Sequence, residues 1–177
     1  IILVNKKEED KDALWSLLEK ALNEAFHAFI LMREKEGEKL KEDLLNKAFN
    51  AEKYLSAIKA RSPYLVKEYK IKLEKRLEEI LSNHSFDENR IATEVALFAD
   101  RCSIDEEIVR LESHFAQFRE ILNNEDVVGR KLDFLAQEMN REINTIGSKA
   151  NDLQITRSVV ELKSEIEKIR EQIQNLE

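Results

Sequence analysis

At 177 residues the chain is long enough for one sizeable domain or an extended helical module. Three Gly, one Pro and 37% charged residues favour long helices joined by short connections. The formal charge of −7 excludes a basic nucleic-acid module of the usual kind: residues 103–177 carry 10 Lys and Arg against 16 Asp and Glu, and the remainder 19 against 20. RNA contact would therefore need a local patch, bound cations or another domain. No apolar run is long enough to span a membrane, and no basic leader with an apolar core indicates export. The single Cys102 cannot form an intrachain disulfide, which fits a reducing cytoplasm.

The periodicity predicts an all-α fold, an extended bundle of about six helices. The first helix is expected over 8–61. Leu14, Leu18, Ala21, Ala25, Ala28 and Met32 alternate steps of four and three, and Leu40, Leu44, Ala48, Ala51, Leu55 and Ile58 continue the pattern. Gly37 lies inside this helix at a cost of roughly 1 kcal/mol relative to Ala, which suggests close approach of a neighbouring helix. Ser62 and Pro63 suit an N-cap and a first helical position, so a second helix is expected near 63–82. Leu65, Tyr69, Leu73 and Leu77 give it an apolar face, and Lys67, Lys70, Lys72, Lys75 and Arg76 a basic surface that reads as solvated. A loop over 82–89 leads to helices near 87–102 and 104–123. A linker over 123–129 and a turn over 147–152 separate the last two, near 128–147 and 153–176. The last has the cleanest heptad: Ile155, Val159, Leu162, Ile166, Ile169, Ile173 and Leu176. Packing within its own bundle and contact with another subunit both explain it.

Three helices carry acidic groups at the border of their apolar stripe. Glu94 flanks Ile91, Val95 and Phe98; Glu107, Arg110 and His114 share one side of their helix; Glu138 and Glu142 stand one turn apart, with Lys131 on the same flank. Convergence of Glu94, Glu107, His114, Glu138 and Glu142 would supply the ingredients of a carboxylate–imidazole metal site in a bundle. A divalent ion there would activate water or stabilise phosphate charge, and an imidazole would serve as general acid or base. The competing explanation is partly buried ion pairs that fix helix register. Arg130, Arg141 and Lys149 form a second candidate, for RNA phosphates, with Asn140 and Asn144 contacting sugar or bases. A polar subunit interface explains that group equally well.

Several segments share a further property. QEMNREINTIGSK (Gln137–Lys149) closely resembles the signature near the C terminus of the YicC/YloC family of bacterial endoribonucleases. MREKEG (Met32–Gly37), EVALFADRCSIDEEIVRLESHF (Glu94–Phe115), VGRKLDFL (Val128–Leu135) and ELKSEIEKIREQIQNLE (Glu161–Glu177) resemble that family's other segments in the same order. Ile143 and Ala150 depart from its pattern, where a smaller residue and a Ser are expected. The resemblance implies a cytoplasmic endoribonuclease that depends on a divalent metal, Mn2+ or Mg2+, and works as a homo-oligomer, a hexamer in the intact protein. It also implies that residues 1–7 are a remnant strand or linker from an N-terminal domain absent from this chain. The expected catalytic set is Glu107, His114, Glu138 and Glu142, with Glu94 joining them as metal ligands and Arg130, Arg141, Lys149, Asn140 and Asn144 on RNA. A non-catalytic assembly scaffold or RNA-binding adaptor is the alternative.

Overall fold

The computed structural model describes residues 11–80, 88–124 and 128–176. The expected linker at 1–7, and parts of the connections at 82–89 and 123–129, lie outside them. The described residues form five α-helices: α1 (Lys11–Ile80), α2 (Glu88–Cys102), α3 (Asp105–Asn124), α4 (Gly129–Lys149) and α5 (Leu153–Ile173). The all-α expectation holds, but with five described helices rather than six.

The missing boundary is at Ser62–Pro63. Pro63 lies inside α1, and the expected helices 8–61 and 63–82 are one. Proline removes one helical hydrogen bond and crowds the preceding turn, at a cost of about 3 kcal/mol. Leu55 and Ile58 before it and Leu65 after it are buried in the common core. Burial of one such side chain is worth about 1.5–3 kcal/mol, so three of them outweigh the proline. Ion pairs clamp the same stretch: Lys59 to Glu112 at 2.6 Å, and Arg61 to both Glu68 and Asp152 at 2.6 and 2.8 Å. Two smaller boundaries also move. α4 continues through Gly147 to Lys149, where a turn was expected, and α5 ends at Ile173 rather than 176.

The chain divides into two compact units, Ile1–Leu40 and Lys41–Glu177. In the first, no described side chain is buried. Leu14, Leu18, Leu22, Phe26 and Phe29 follow the helical period yet remain exposed, and Trp15 is 62% exposed. A Cβ added at Gly37 would meet no atom within 4 Å among the described residues, so the close neighbour expected there is not found among them.

The second unit holds the core. Leu44, Ala48, Ala51, Leu55, Ile58 and Leu65 of α1 are buried with Ile108, Leu111, Phe115 and Phe118 of α3, the Leu132–Ile146 stripe of α4, and the α5 heptad. Packing inside the bundle thus accounts for that heptad. α4 packs on both α3 and α5. At Gly147 an added Cβ would come within 3.2 Å of Val159, so the missing side chain lets α4 and α5 close up. Asp152 caps α5, its carboxylate accepting from the backbone N–H of Gln154 and Ile155 at 3.0 and 2.9 Å. α2 is less embedded. Cys102 is its only buried residue among those described, and its Phe98 ring stacks on Tyr69 of α1.

Candidate functional site

The polar borders of α3 and α4 meet beside the core. Glu107 in the first turn of α3 is 5% exposed, and its Oε1 accepts a hydrogen bond of 2.6 Å from Lys149 in the last turn of α4. Burial by itself pushes this carboxyl up. The Lys149 hydrogen bond, a backbone hydrogen bond and the charges of Lys149 and Arg110 outweigh it, and the group titrates below the ordinary carboxylate range. Arg110, one turn further along α3, donates to Glu142 at 3.3 Å and also pairs with Glu106. Glu142 is 8% exposed. Arg141 donates to Glu138 at 2.8 Å, and that bond, with the charges of Glu138 and Glu142, raises its pKa.

These contacts form a seam in which sign alternates: Lys149, Glu107, Arg110, Glu142, Arg141, Glu138. Five of the expected site residues, Glu107, Glu138, Glu142, Arg141 and Lys149, are therefore on one continuous feature. Arg110 was not among the expected site residues. Its signal in the sequence was its position three residues after Glu107 on the same border.

His114 lies further along α3, half-buried, and its Nδ1 is buried without a hydrogen-bond partner among the described residues. Glu107 Oε2 is in the same condition. Buried polar atoms of this kind are costly unless a further group satisfies them. Glu94 does not belong to the seam. It is exposed on α2, and its carboxylate accepts from the Tyr69 hydroxyl at 3.4 Å.

The described residues of one chain do not by themselves form a ligand set for a metal ion. Among the described residues, no three His, Cys, Asp or Glu side chains come together closely enough to hold one. The set Glu94, Glu107, His114, Glu138 and Glu142 is thus not assembled as a ligand sphere. The physical reason is that Lys149, Arg110 and Arg141 occupy the carboxylates and supply the positive charge instead.

The expected RNA contacts divide similarly. Arg130 is exposed in the first turn of α4 and has no ion pair among the described residues. Arg141 is 77% exposed but tied to Glu138, and Lys149 is committed to Glu107. Asn144 donates to Asn140 at 3.4 Å and accepts from Lys163 of α5 at 3.1 Å. These two amides link neighbouring turns of α4, and Asn144 also links α4 to α5, through solvent-exposed bonds.

The family model described as "Endoribonuclease YicC-like, C-terminal" matches residues 58–177, which contain the whole seam. The one described as "Endoribonuclease YicC-like, N-terminal region" matches residues 1–42. Sequence of the family's N-terminal region thus reaches well into α1, beyond the remnant expected at 1–7, and it ends close to the boundary between the two compact units. A protein named "Probable endoribonuclease YicC" from Clostridioides difficile strain 630 is 49% identical over 178 residues, covering 100% of this chain and 61% of its own length. One of the same name from Haemophilus influenzae is 38% identical over 175 residues, covering 99% of this chain and 60% of its own length. The chain therefore spans about 60% of the length of the curated relatives it matches. On the match over 58–177, which is most of its length, the chain belongs to the YicC-like endoribonuclease family.

Proposed function

We propose that this chain is the helical portion of a cytoplasmic endoribonuclease, contributing subunit assembly and part of the surface that holds RNA during cleavage. The observation that carries the reading is the alternating seam of α3 and α4, whose α4 members Glu138, Arg141, Glu142 and Lys149 all lie in the segment Gln137–Lys149 that resembles the family's signature. Guanidinium and ammonium groups match phosphate oxygens, and a phosphodiester that displaces a carboxylate partner would draw Arg141 or Lys149 onto the backbone. Arg130 offers charge without any such exchange. His114 is the one imidazole in this set, the side-chain type most often used as a general acid or base. Glu107, held ionised, is suited to accepting hydrogen bonds or orienting a cation, not to acting as an acid.

Mn2+ or Mg2+ dependence belongs to the proposal for the intact protein. No ligand set forms among the described residues of one chain, so ions would be held with groups from outside them. Homo-oligomerisation, with a hexamer as the expected form, is supported by the exposed apolar stripe from Leu14 to Met32, larger than solvent-facing helices normally carry. No described helix is long and apolar enough to cross a membrane.

The scaffold reading has one specific observation in its favour: Glu107, Glu138 and Glu142 all have cationic partners, as structural ion pairs would. Labelled RNA incubated with the intact protein and with this chain, each with manganese and with EDTA, separates the two. Cleavage by the intact protein that survives His114→Ala and Arg130→Ala with unchanged rate moves the chemistry away from these helices. Loss of cleavage with assembly intact supports the proposed site.

A further inference from the structure

The basic surface of the distal part of α1 is not absorbed by the seam, and it borders a cavity of its own. The buried stripe of α1 keeps a strict register through Leu44, Ala48, Ala51, Leu55, Ile58 and Leu65. The half-buried apolar face runs on through Tyr69, Leu73 and Leu77, and Lys72 and Arg76 stand exposed beside it. Together with Leu65, Phe98 of α2 and Asp152 of the α4–α5 turn, they line a cavity of about 490 Å3. That volume falls within the roughly 300–1,000 Å3 of small-ligand sites.

The charge balance of the lining favours an anion. The two carboxylates that reach the cavity, Glu68 and Asp152, are both held by Arg61. Lys72 and Arg76 are exposed and have no ion pair among the described residues. One wall is aromatic: the rings of Tyr69 and Phe98 lie 3.7 Å apart and within 4° of parallel. Cations one turn apart beside an aromatic wall match a phosphate linked to a planar base.

We propose that this cavity holds one nucleotide of single-stranded RNA, its phosphate on Lys72 and Arg76 and its base against the Tyr69–Phe98 pair. The proposal rests on the reading of the chain as part of an RNA-cleaving enzyme and adds a binding subsite distinct from the α3–α4 seam. A single strand is required, because a paired base cannot turn its face to a side chain.

The test uses the intact protein with fluorescein-labelled octauridylate and an abasic octamer of equal charge, titrated at several salt concentrations. Wild-type protein should prefer the base-bearing strand by about tenfold, the size expected of one stacked base. Lys72→Ala with Arg76→Ala should weaken both probes and lower the salt slope by roughly 0.7, the value for one phosphate contact on a single strand. Tyr69→Leu with Phe98→Leu should erase the base preference and leave the salt slope unchanged. Circular dichroism guards against misfolding of the ring variants, while the exposed cation pair provides an independent reading. Wild-type affinity, salt slope and cleavage in the cation variant would overturn the subsite and leave the functional reading standing. Absence of cleavage by wild-type intact protein would overturn the functional reading, and the base and salt dependence of binding would still judge the cavity. Failure of wild-type protein to bind either probe overturns both.

Discussion

Lys149→Met isolates what the seam contributes to stability from what it does for RNA. The substitution keeps the length and most of the apolar contact of the stem but removes the charge from Glu107. In the folded protein that carboxylate is 5% exposed, its Oε2 has no partner among the described residues, and Lys149 supplies the 2.6 Å bond to Oε1. Removing one partner of a fully buried pair costs about 3–5 kcal/mol. Here the Lys149 side chain is 36% exposed and Arg110 still acts on Glu107, so solvent screening reduces the expected loss to about 2 kcal/mol at pH 7. The pH dependence follows from the direction of the shift. The folded carboxyl titrates below its ordinary value, so its stabilisation is present above the unfolded pKa and is lost as pH falls through the folded one. In the variant, burial is less opposed and the folded pKa moves up. The stability difference between the two proteins should therefore be largest near neutrality and shrink as pH falls through the folded pKa of wild-type Glu107, below which both carboxyls are protonated. Urea unfolding at fixed protein concentration, repeated from pH 7 to pH 3, measures it. A loss below about 0.5 kcal/mol, or a loss that does not change with pH, would refute the argument that Glu107 carries a buried charge held by Lys149.

Pro63→Ala should stabilise the chain by about 2 kcal/mol, since the helix regains a hydrogen bond while the unfolded chain loses some stiffness; a thermal melt that falls instead would mean α1 needs the proline. Gly37→Ala should add about 1 kcal/mol by helix propensity, because the new Cβ meets nothing within 4 Å. A loss there, read by the same melt, would show that another chain packs on that turn. Asp152→Ala should cost about 2 kcal/mol through the lost cap and the lost partner of Arg61. Arg61 holds the Asp152 carboxyl below its ordinary value, so this contribution is present above the unfolded pKa and disappears as acid titrates the folded group. Leu18→Lys with Phe26→Lys should shift sedimentation of the intact protein towards smaller species without lowering its helicity.

The stripes of α3, α4 and α5 were legible because each is amphipathic with few interruptions, and residues such as Phe115, Met139 and Ile166 are buried as their spacing required. Pro63 misled because its local preference was decided by distant groups: Glu112 and Asp152 anchor the turn around it from other helices. At Gly37 the sequence could show that a close neighbour is permitted but not which chain would supply it. In the candidate site, periodicity placed Glu107, Glu138 and Glu142 correctly at stripe borders. It could not show that Arg110 of α3 reaches Glu142 of α4, because pairing across helices depends on their rotation and stagger. Glu94 failed for the same reason: its border faces Tyr69 of α1.

Asp152 joins interactions of very different sequence range. Its two backbone contacts reach only to Gln154 and Ile155, whereas its bond with Arg61 spans 91 residues. Local contacts form at little loop-closure cost, and distant ones must wait until the intervening chain is ordered. The carboxylate can therefore start α5 while α4 and α5 are still finding each other, and afterwards receive α1 as a preformed anionic post. Folding of the second unit should accordingly begin in its C-terminal helical hairpin, with the clamp around Pro63 among the last contacts to close. In a kinetic experiment, substitutions at the cap would slow folding, and substitutions at Arg61 would mainly speed unfolding.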